Sequence, residues 1–475
     1  MCRSCVSTGD GTVNRLMQFE SVRCRTHFRV VQGPADAGVC SLTPACQPRL
    51  PQRYDEFHMP QGPAPVRHHR CLAERLCFEV ALIALSALSA SAQPSGCNAP
   101  AASPSVTIAL PSRPFAVRPS ADGCQVFVSL MGDNSGKDAG IVLLGRAEGR
   151  TELLRVVPLK SPATGLALTH DGKLLIATAA DGPVFLDVGR MASGDPNPVL
   201  GSFSDGANSQ SIYANVSPAD KLLFVSEESA HSITVIDLQR ARSNGYKADA
   251  IIGKIPVANA PIALTFSPDG KWLYTTSEVA LPDWHWPQAC KPEGRDPATA
   301  QITNPEGAVI VVDVARASTD PAQAVVARIP AGCSPVRMAI SPDGARIYVT
   351  ARNSNAVLAF DTAKLLSDAG RARVGEASVG AAPVPIAVVD AGRKVVAGNS
   401  NRFAASTAPQ SLVVLDTAKM EAGTGAALGA IDAGAFPREM ALSADGHTLF
   451  LTNFGSNSLQ VIDVDRLPLA PNRQQ

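Results

Sequence analysis

The stretch Ser341-Pro342-Asp343-Gly344-Ala345-Arg346-Ile347-Tyr348-Val349-Thr350 decides the fold of this 475-residue chain. Asp343-Gly344 suits a two-residue hairpin turn, because that turn needs positive φ and glycine takes it without steric cost. A short apolar strand precedes the turn and another follows it, so the stretch reads as a β-hairpin.

The same unit occurs seven times. Its turns are Ala121-Asp122-Gly123, His170-Asp171-Gly172, Pro218-Ala219-Asp220, Pro268-Asp269-Gly270, Pro342-Asp343-Gly344, Asp390-Ala391-Gly392 and Ala444-Asp445-Gly446. Their third positions are separated by 49, 48, 50, 74, 48 and 54 residues, so the fourth unit carries an insertion. Each unit goes on to a third strand, in six of them ending in Asp: Asp187, Asp237, Asp313, Asp361, Asp416 and Asp463. Unit one departs, with Val142-Leu143-Leu144-Gly145. These aspartates read as strand-terminal turn residues and not as catalytic groups. A fourth strand follows, clearest at Ala324 to Ile329.

Four short antiparallel strands every fifty or so residues describe a blade, and seven of them an all-β, seven-bladed β-propeller over 105–467. The chain ends soon after the third strand of unit seven, and Thr107 to Leu110 can supply the missing outer strand. Such closure removes an exposed sheet edge.

The blocks Ser341 to Thr350, Ser267-Pro268-Asp269-Gly270-Lys271-Trp272-Leu273-Tyr274 and Leu449-Phe450-Leu451-Thr452-Asn453 resemble the YVTN-type seven-bladed propeller repeat. The resemblance covers residues 105–464 and implies the propeller fold. That family includes binding proteins, redox-enzyme relatives and lactonase-like enzymes, so it implies no single activity.

Composition narrows the function. The 42 Lys+Arg balance 42 Asp+Glu, which leaves no basic surplus to neutralise phosphates and argues against a nucleic-acid partner. With 45% hydrophobic residues the chain can bury a large core, and no run of 18 apolar residues suggests a membrane-spanning helix.

Residues 1–92 are read as a non-folded leader. Arg67, His68, His69, Arg70 and Arg75 form a basic region, Leu76 to Leu88 an apolar run interrupted by Glu79, and Ala90-Ser91-Ala92 a cleavage site. A signal peptide at 59–92 starting from Met59 makes 1–58 upstream translated sequence, and cleavage after Ala92 leaves a linker at 93–104 and a tail at 468–475. The expected location is periplasmic or secreted. Lipidation at Cys97 is the alternative, although Pro94 stands where a lipobox has Leu. The leader holds ten Arg, no Lys and seven acids, leaving 32 basic and 35 acidic residues beyond it, a net −3.

Seven of the eleven cysteines lie in the leader, and Cys97, Cys124, Cys290 and Cys333 remain. Inner strands of a propeller run from one face to the other. Loops entering first strands therefore share a face with the loops joining second and third strands, and the Asp-Gly turns lie opposite. Cys290 and Cys333 fall on the loop face in adjacent blades, Cys97 and Cys124 on the turn face. The predicted disulfides are Cys290–Cys333, clamping the insertion, and Cys97–Cys124, stapling the ring closure.

On the loop face, Arg337, Arg438 and Glu439 enter inner strands, and Glu227, Glu228 and His231 lie in the blade-three loop. Arg352, Asn353, Asn399, Asn401, Arg402 and Asn453 occupy corresponding loops of later blades. Arginine forks suit carboxylate or phosphate groups, and a polar channel mouth is a common ligand site. The insertion at 278–306 adds Trp284 and Trp286 around His285, which either stack on a ligand or pack the loop onto blade four.

No covalent-haem motif, nucleophile elbow or Walker loop is present, and no cofactor is expected. A three-histidine zinc site is excluded because His170 and His447 lie at turns, leaving His231 and His285 on the loop face. The chain is read as a monomer that binds a small polar or anionic molecule, or a protein partner, at its loop face. The alternatives are a lactonase-like hydrolase or isomerase and an envelope scaffold. In the enzymatic reading His231 or Glu227 is the general base, and Arg337 with Arg438 stabilises an oxyanion.

Overall fold

The computed structural model describes residues 96–99, 103–295, 299–403 and 410–468. The leader reading falls outside these residues. Seven four-stranded antiparallel sheets follow one another, each with its strands in chain order from the centre outward, except that the last is completed by the first strand of the chain. Ser105–Ala109 pairs with Ser458–Asp463, as the closing-strand expectation required. Neighbouring inner strands touch all the way round, including Pro437–Leu442 of blade seven against Pro114–Pro119 of blade one.

The core lies between blades. Val117, Val128 and Leu144 of blade one, for example, pack with Phe450, Leu459 and Val461 of blade seven. A strand buried on both faces needs apolar residues at consecutive positions, which explains runs such as Val309-Ile310-Val311-Val312.

The turns behave as their sequences require. Gly123, Gly172, Gly270, Gly344 and Gly446 have positive φ, and Asp220 takes the same role at φ 53° in the one turn that lacks glycine. Aspartate tolerates that region better than most residues.

In six of the seven blades a hydroxyl residue stands on the second strand six residues after the turn's third position: Ser129, Thr178, Ser226, Thr276, Thr350 and Thr452. These groups connect the blades. Thr276 donates to the Val336 carbonyl (3.1 Å), Thr350 to Val384 (2.9 Å) and Ser226 to Ile262 (3.1 Å). Ser129 donates to the Thr164 carbonyl, and Thr164, joined to Thr178 at 2.8 Å, donates to Ser211 (3.0 Å). In four blades the same hydroxyl accepts the inner-strand amide of Ala116, Ala263, Arg337 or Glu439. That amide sits at a β-bulge, where the inner strand carries one more residue than its partner.

Blade six shows why the pattern breaks there. Its inner-strand residue at this position is Pro385, which has no amide to donate, and a Cβ on Gly398 would meet Pro385 Cγ at 2.5 Å. Ser400 takes over the junction and donates to the Pro437 carbonyl.

The strand-terminal aspartates correct one expectation. Five of them are helix N-caps, not simple turn residues: Asp187, Asp237, Asp313 and Asp416 accept the amides of Arg190, Arg240, Arg316 and Lys419, and Asp463 that of Asp465. Blade one has no aspartate there and no helix. Its third strand, Ala139–Ala147, turns straight into Arg150–Pro158 through Glu148 and Gly149, both at positive φ.

Both predicted disulfides are present. Cys97–Cys124 holds the segment before the closing strand to the first turn, and Cys290–Cys333 ties the blade-four insertion to the start of blade five. Among the described residues no helix is long and apolar enough to cross a membrane.

Candidate functional site

Alternate side chains of the inner strands face the axis, and the column seven residues before each turn's third position contains Tyr213, Arg337 and Glu439. These three, from blades three, five and seven, meet at the centre. Arg337 Nε donates to Glu439 Oε2 at 2.9 Å and its Nη2 to the Tyr213 hydroxyl at 2.6 Å, while that hydroxyl donates to Glu439. The Arg337 guanidinium also lies over the Tyr213 ring, 4.0 Å from its centroid. All three are at most 7% exposed. Burial pushes the Tyr213 phenol well above its ordinary value, against the opposing Arg337 charge, so it remains a donor. From the turn side Arg118 Nη1 reaches Glu439 Oε1 at 3.4 Å.

Arg438 is the neighbour of Glu439 in sequence but has a different setting. Its guanidinium lies over Phe115 at 3.9 Å, with Phe436 at 5.4 Å and Phe454 at 5.7 Å. Its Nε is buried with no hydrogen-bond partner, and no carboxylate pairs with it among the described residues. Burial first, then the charge of Arg337 and more weakly Arg402 and Arg352, lowers its pKa to about 9, which still leaves it cationic at neutral pH.

A second charged group occupies the rim. Arg352, 4% exposed, pairs with Glu278 Oε2 at 2.9 Å and with Glu293 of the insertion. Burial opposes the Arg352 charge, but these two carboxylates outweigh it and raise its pKa. Burial conversely raises Glu278, against the Arg352 charge. Asn353 Nδ2 holds the Lys291 carbonyl at 2.6 Å, so two consecutive residues of blade five clamp the insertion beside the disulfide. Arg402 is exposed at this rim, and burial of its surroundings and the Arg352 charge lower its pKa, against Glu278, Glu293 and Glu228.

Several residues singled out in the sequence do other work. Glu227 has no exposed side-chain surface: Lys254 Nζ lies 2.7 Å from both its oxygens, and Ser232 and Thr234 also donate to them. As a general base it has no oxygen facing substrate. His231 is an exposed turn residue at φ 52°, and no hydrogen bond joins its ring to Glu227. Arg337 spends its fork on Glu439 and Tyr213 and offers none to an oxyanion. Asn399 Nδ2 bonds Ser411, and Asn453 Nδ2 faces Ser458 and Gln460, both as internal packing; each leaves a buried Oδ1 unpartnered. Asn401 is a loop residue at φ 44°. Trp284 and Trp286 stack edge-on at 5.2 Å and pack against the core, with Arg328 over Trp284, so they fix the insertion in place.

Sequence reasoning missed Tyr213 and Arg118. Tyr213 stands in the same repeat column as Arg337 and Glu439, and that alignment was the available signal.

No protein-family model matches the chain, and no curated protein is similar to it at a significant level. Among solved structures the chain is similar to hydrazine synthase of Kuenenia stuttgartiensis. The two are 19% identical with a TM-score of 0.53, over 75% of this chain and 97% of that one. At that identity the likeness is one of fold. It supports the β-propeller fold, without carrying the YVTN resemblance further.

Proposed function

We propose that the protein is an exported binding propeller that takes up a small organic anion at the loop-face mouth, with Arg438 as its principal contact. One observation carries the reading. Arg438 is a cation at neutral pH, walled by three aromatic rings, with no carboxylate partner among the described residues and a buried Nε left unbonded. Leaving a partly buried cation uncompensated is costly, and a ligand carboxylate or phosphate recovers that cost through a charge-assisted, forked hydrogen bond. The aromatic walls hold the guanidinium by cation–π attraction.

Two disulfides support an oxidising compartment. The settings of Glu227 and Arg337 weaken the hydrolase alternative, because the oxygens of the one and the fork of the other are already taken by protein partners. The test is native mass spectrometry and thermal shift of the purified protein against a panel of carboxylates and phosphate esters. At least one anion should raise the melting temperature of the parent protein and leave a correctly folded Arg438→Ala variant unmoved. An unchanged ligand response in Arg438→Ala would sink the reading.

A further inference from the structure

Eight residues after the turn's third position, blades three, four, five and seven carry Glu228, Glu278, Arg352 and Phe454. The backbone holds this position alike in three of them. The amides of Glu228, Arg352 and Phe454 donate to the Gln210, Ser334 and Phe436 carbonyls at 3.1, 2.9 and 2.9 Å. From this level the Phe454 ring meets the Arg438 guanidinium and Arg352 reaches Glu278, so the level rims the mouth.

The charges of the rim offset one another except for two. Arg352 divides its fork between Glu278 and Glu293, which leaves one negative charge on that group. Arg402 lies within electrostatic reach of Arg352, Glu278, Glu293 and Glu228 and supplies one positive charge to the same rim. Glu228 and Arg438 remain. The Glu228 side chain is half-buried and acts on Glu278 and Arg402, yet its carboxylate makes no ion pair and no hydrogen bond among the described residues. Arg438 likewise has no carboxylate among the described residues, and its Nε is unbonded. Blade three stands across the ring from blade seven, three blades away by one route and four by the other. The two uncompensated charges are therefore of opposite sign and on opposite sides of one opening.

We infer that the mouth takes an ω-amino acid, a carboxylate and an ammonium group at the two ends of one chain. The carboxylate pairs with Arg438 and the ammonium with Glu228 across the opening. This deepens the reading of Arg438 as the carboxylate contact and rests on it. A plain acid would satisfy Arg438 and leave Glu228 facing a second negative charge, and a diacid would set a carboxylate directly against it. An amino acid with adjacent charges, such as glycine, reaches only one of the two groups.

Isothermal titration calorimetry of the purified protein tests this with ω-amino acids lengthened from glycine by one methylene at a time. Each is run beside the straight-chain acid in which a methyl group replaces the ammonium. Affinity should pass through a maximum at an intermediate length, and there the amino acid should bind about fivefold or more tightly than its methyl-ended counterpart. Glu228→Gln should abolish that preference, and Glu228→Lys should transfer it to the diacid of the same length. Arg438→Ala should weaken both kinds of acid. Equal affinities of the two kinds in the parent protein would overturn the inference, as would tightest binding of glycine or a preference that survives Glu228→Gln. Methyl-ended acids that still bind through Arg438 would then leave the reading of that residue standing, whereas binding of neither kind at millimolar concentration would remove both. Circular dichroism and melting curves verify that each variant is folded, and if the Glu228 variants are not, the paired affinities of the parent protein decide alone.

Discussion

The Thr452 hydroxyl of the last blade donates to the Phe115 carbonyl of the first, 3.1 Å away and 337 residues distant along the chain. It is the closing member of the hydroxyl series that joins each second strand to the next inner strand. Thr452→Val keeps the side-chain shape and removes the donor. It should cost about 1–3 kcal/mol, because a buried carbonyl and the Glu439 amide both lose a partner. Urea denaturation checks this, and a loss under about 0.5 kcal/mol would show that the strand ladders alone hold the closure.

Glu439→Gln should be among the most destabilising single changes in the protein. It leaves Arg337 without its charge partner in a buried setting, a change worth about 3–5 kcal/mol. The double replacement Arg337→Met with Glu439→Met should lose less than Glu439→Gln alone, since it removes both charges. A double-mutant cycle by chemical denaturation separates the outcomes, and a more severe loss in the double variant would mean that the polar contacts outweigh the desolvation they require.

The two disulfides should fail differently. Replacing Cys97 and Cys124 by Ser frees the segment that precedes the closing strand, and should lower global stability by about 3 kcal/mol. Replacing Cys290 and Cys333 releases the insertion and should increase its cleavage in limited proteolysis, while global melting moves less. Equal proteolysis with and without the second bridge would assign the clamp to Arg352 and Asn353 instead.

Acid should weaken the turns. The Ser341 hydroxyl and the Ala345 amide hold Asp343 below its ordinary value, and Ser267 with Lys271 does the same for Asp269. A carboxylate depressed in the folded state stabilises fully above its unfolded pKa, and that contribution is lost as pH falls through the folded value. Stability should therefore decline below about pH 4, and Asp269→Ala with Asp343→Ala should flatten that decline while lowering stability at neutral pH. Melting temperature against pH for the two proteins measures it. Parallel curves would show that other carboxylates carry the acid limb.

The propeller was legible because its signal is periodic. An Asp-Gly turn every fifty or so residues survives local variation, as Asp220 shows by taking positive φ in a turn without glycine. The disulfides followed from the face that each cysteine had to occupy. The interior of the mouth was less legible, because burial and partner choice belong to the assembled ring. Glu227 and Arg337 looked like free charged groups in a linear reading, yet Lys254 and Glu439, 27 and 102 residues away, neutralise them. Arg438 stands one position before Glu439, outside the axial column, where Phe115 of blade one joins Phe436 and Phe454 of its own blade around it.

The meeting of Tyr213, Arg337 and Glu439 on the axis makes the molecule two cups set base to base, not a tube. The partition is a single carboxylate of blade seven held by residues of blades one, three and five, so a shift of any of those three blades is felt at the axis.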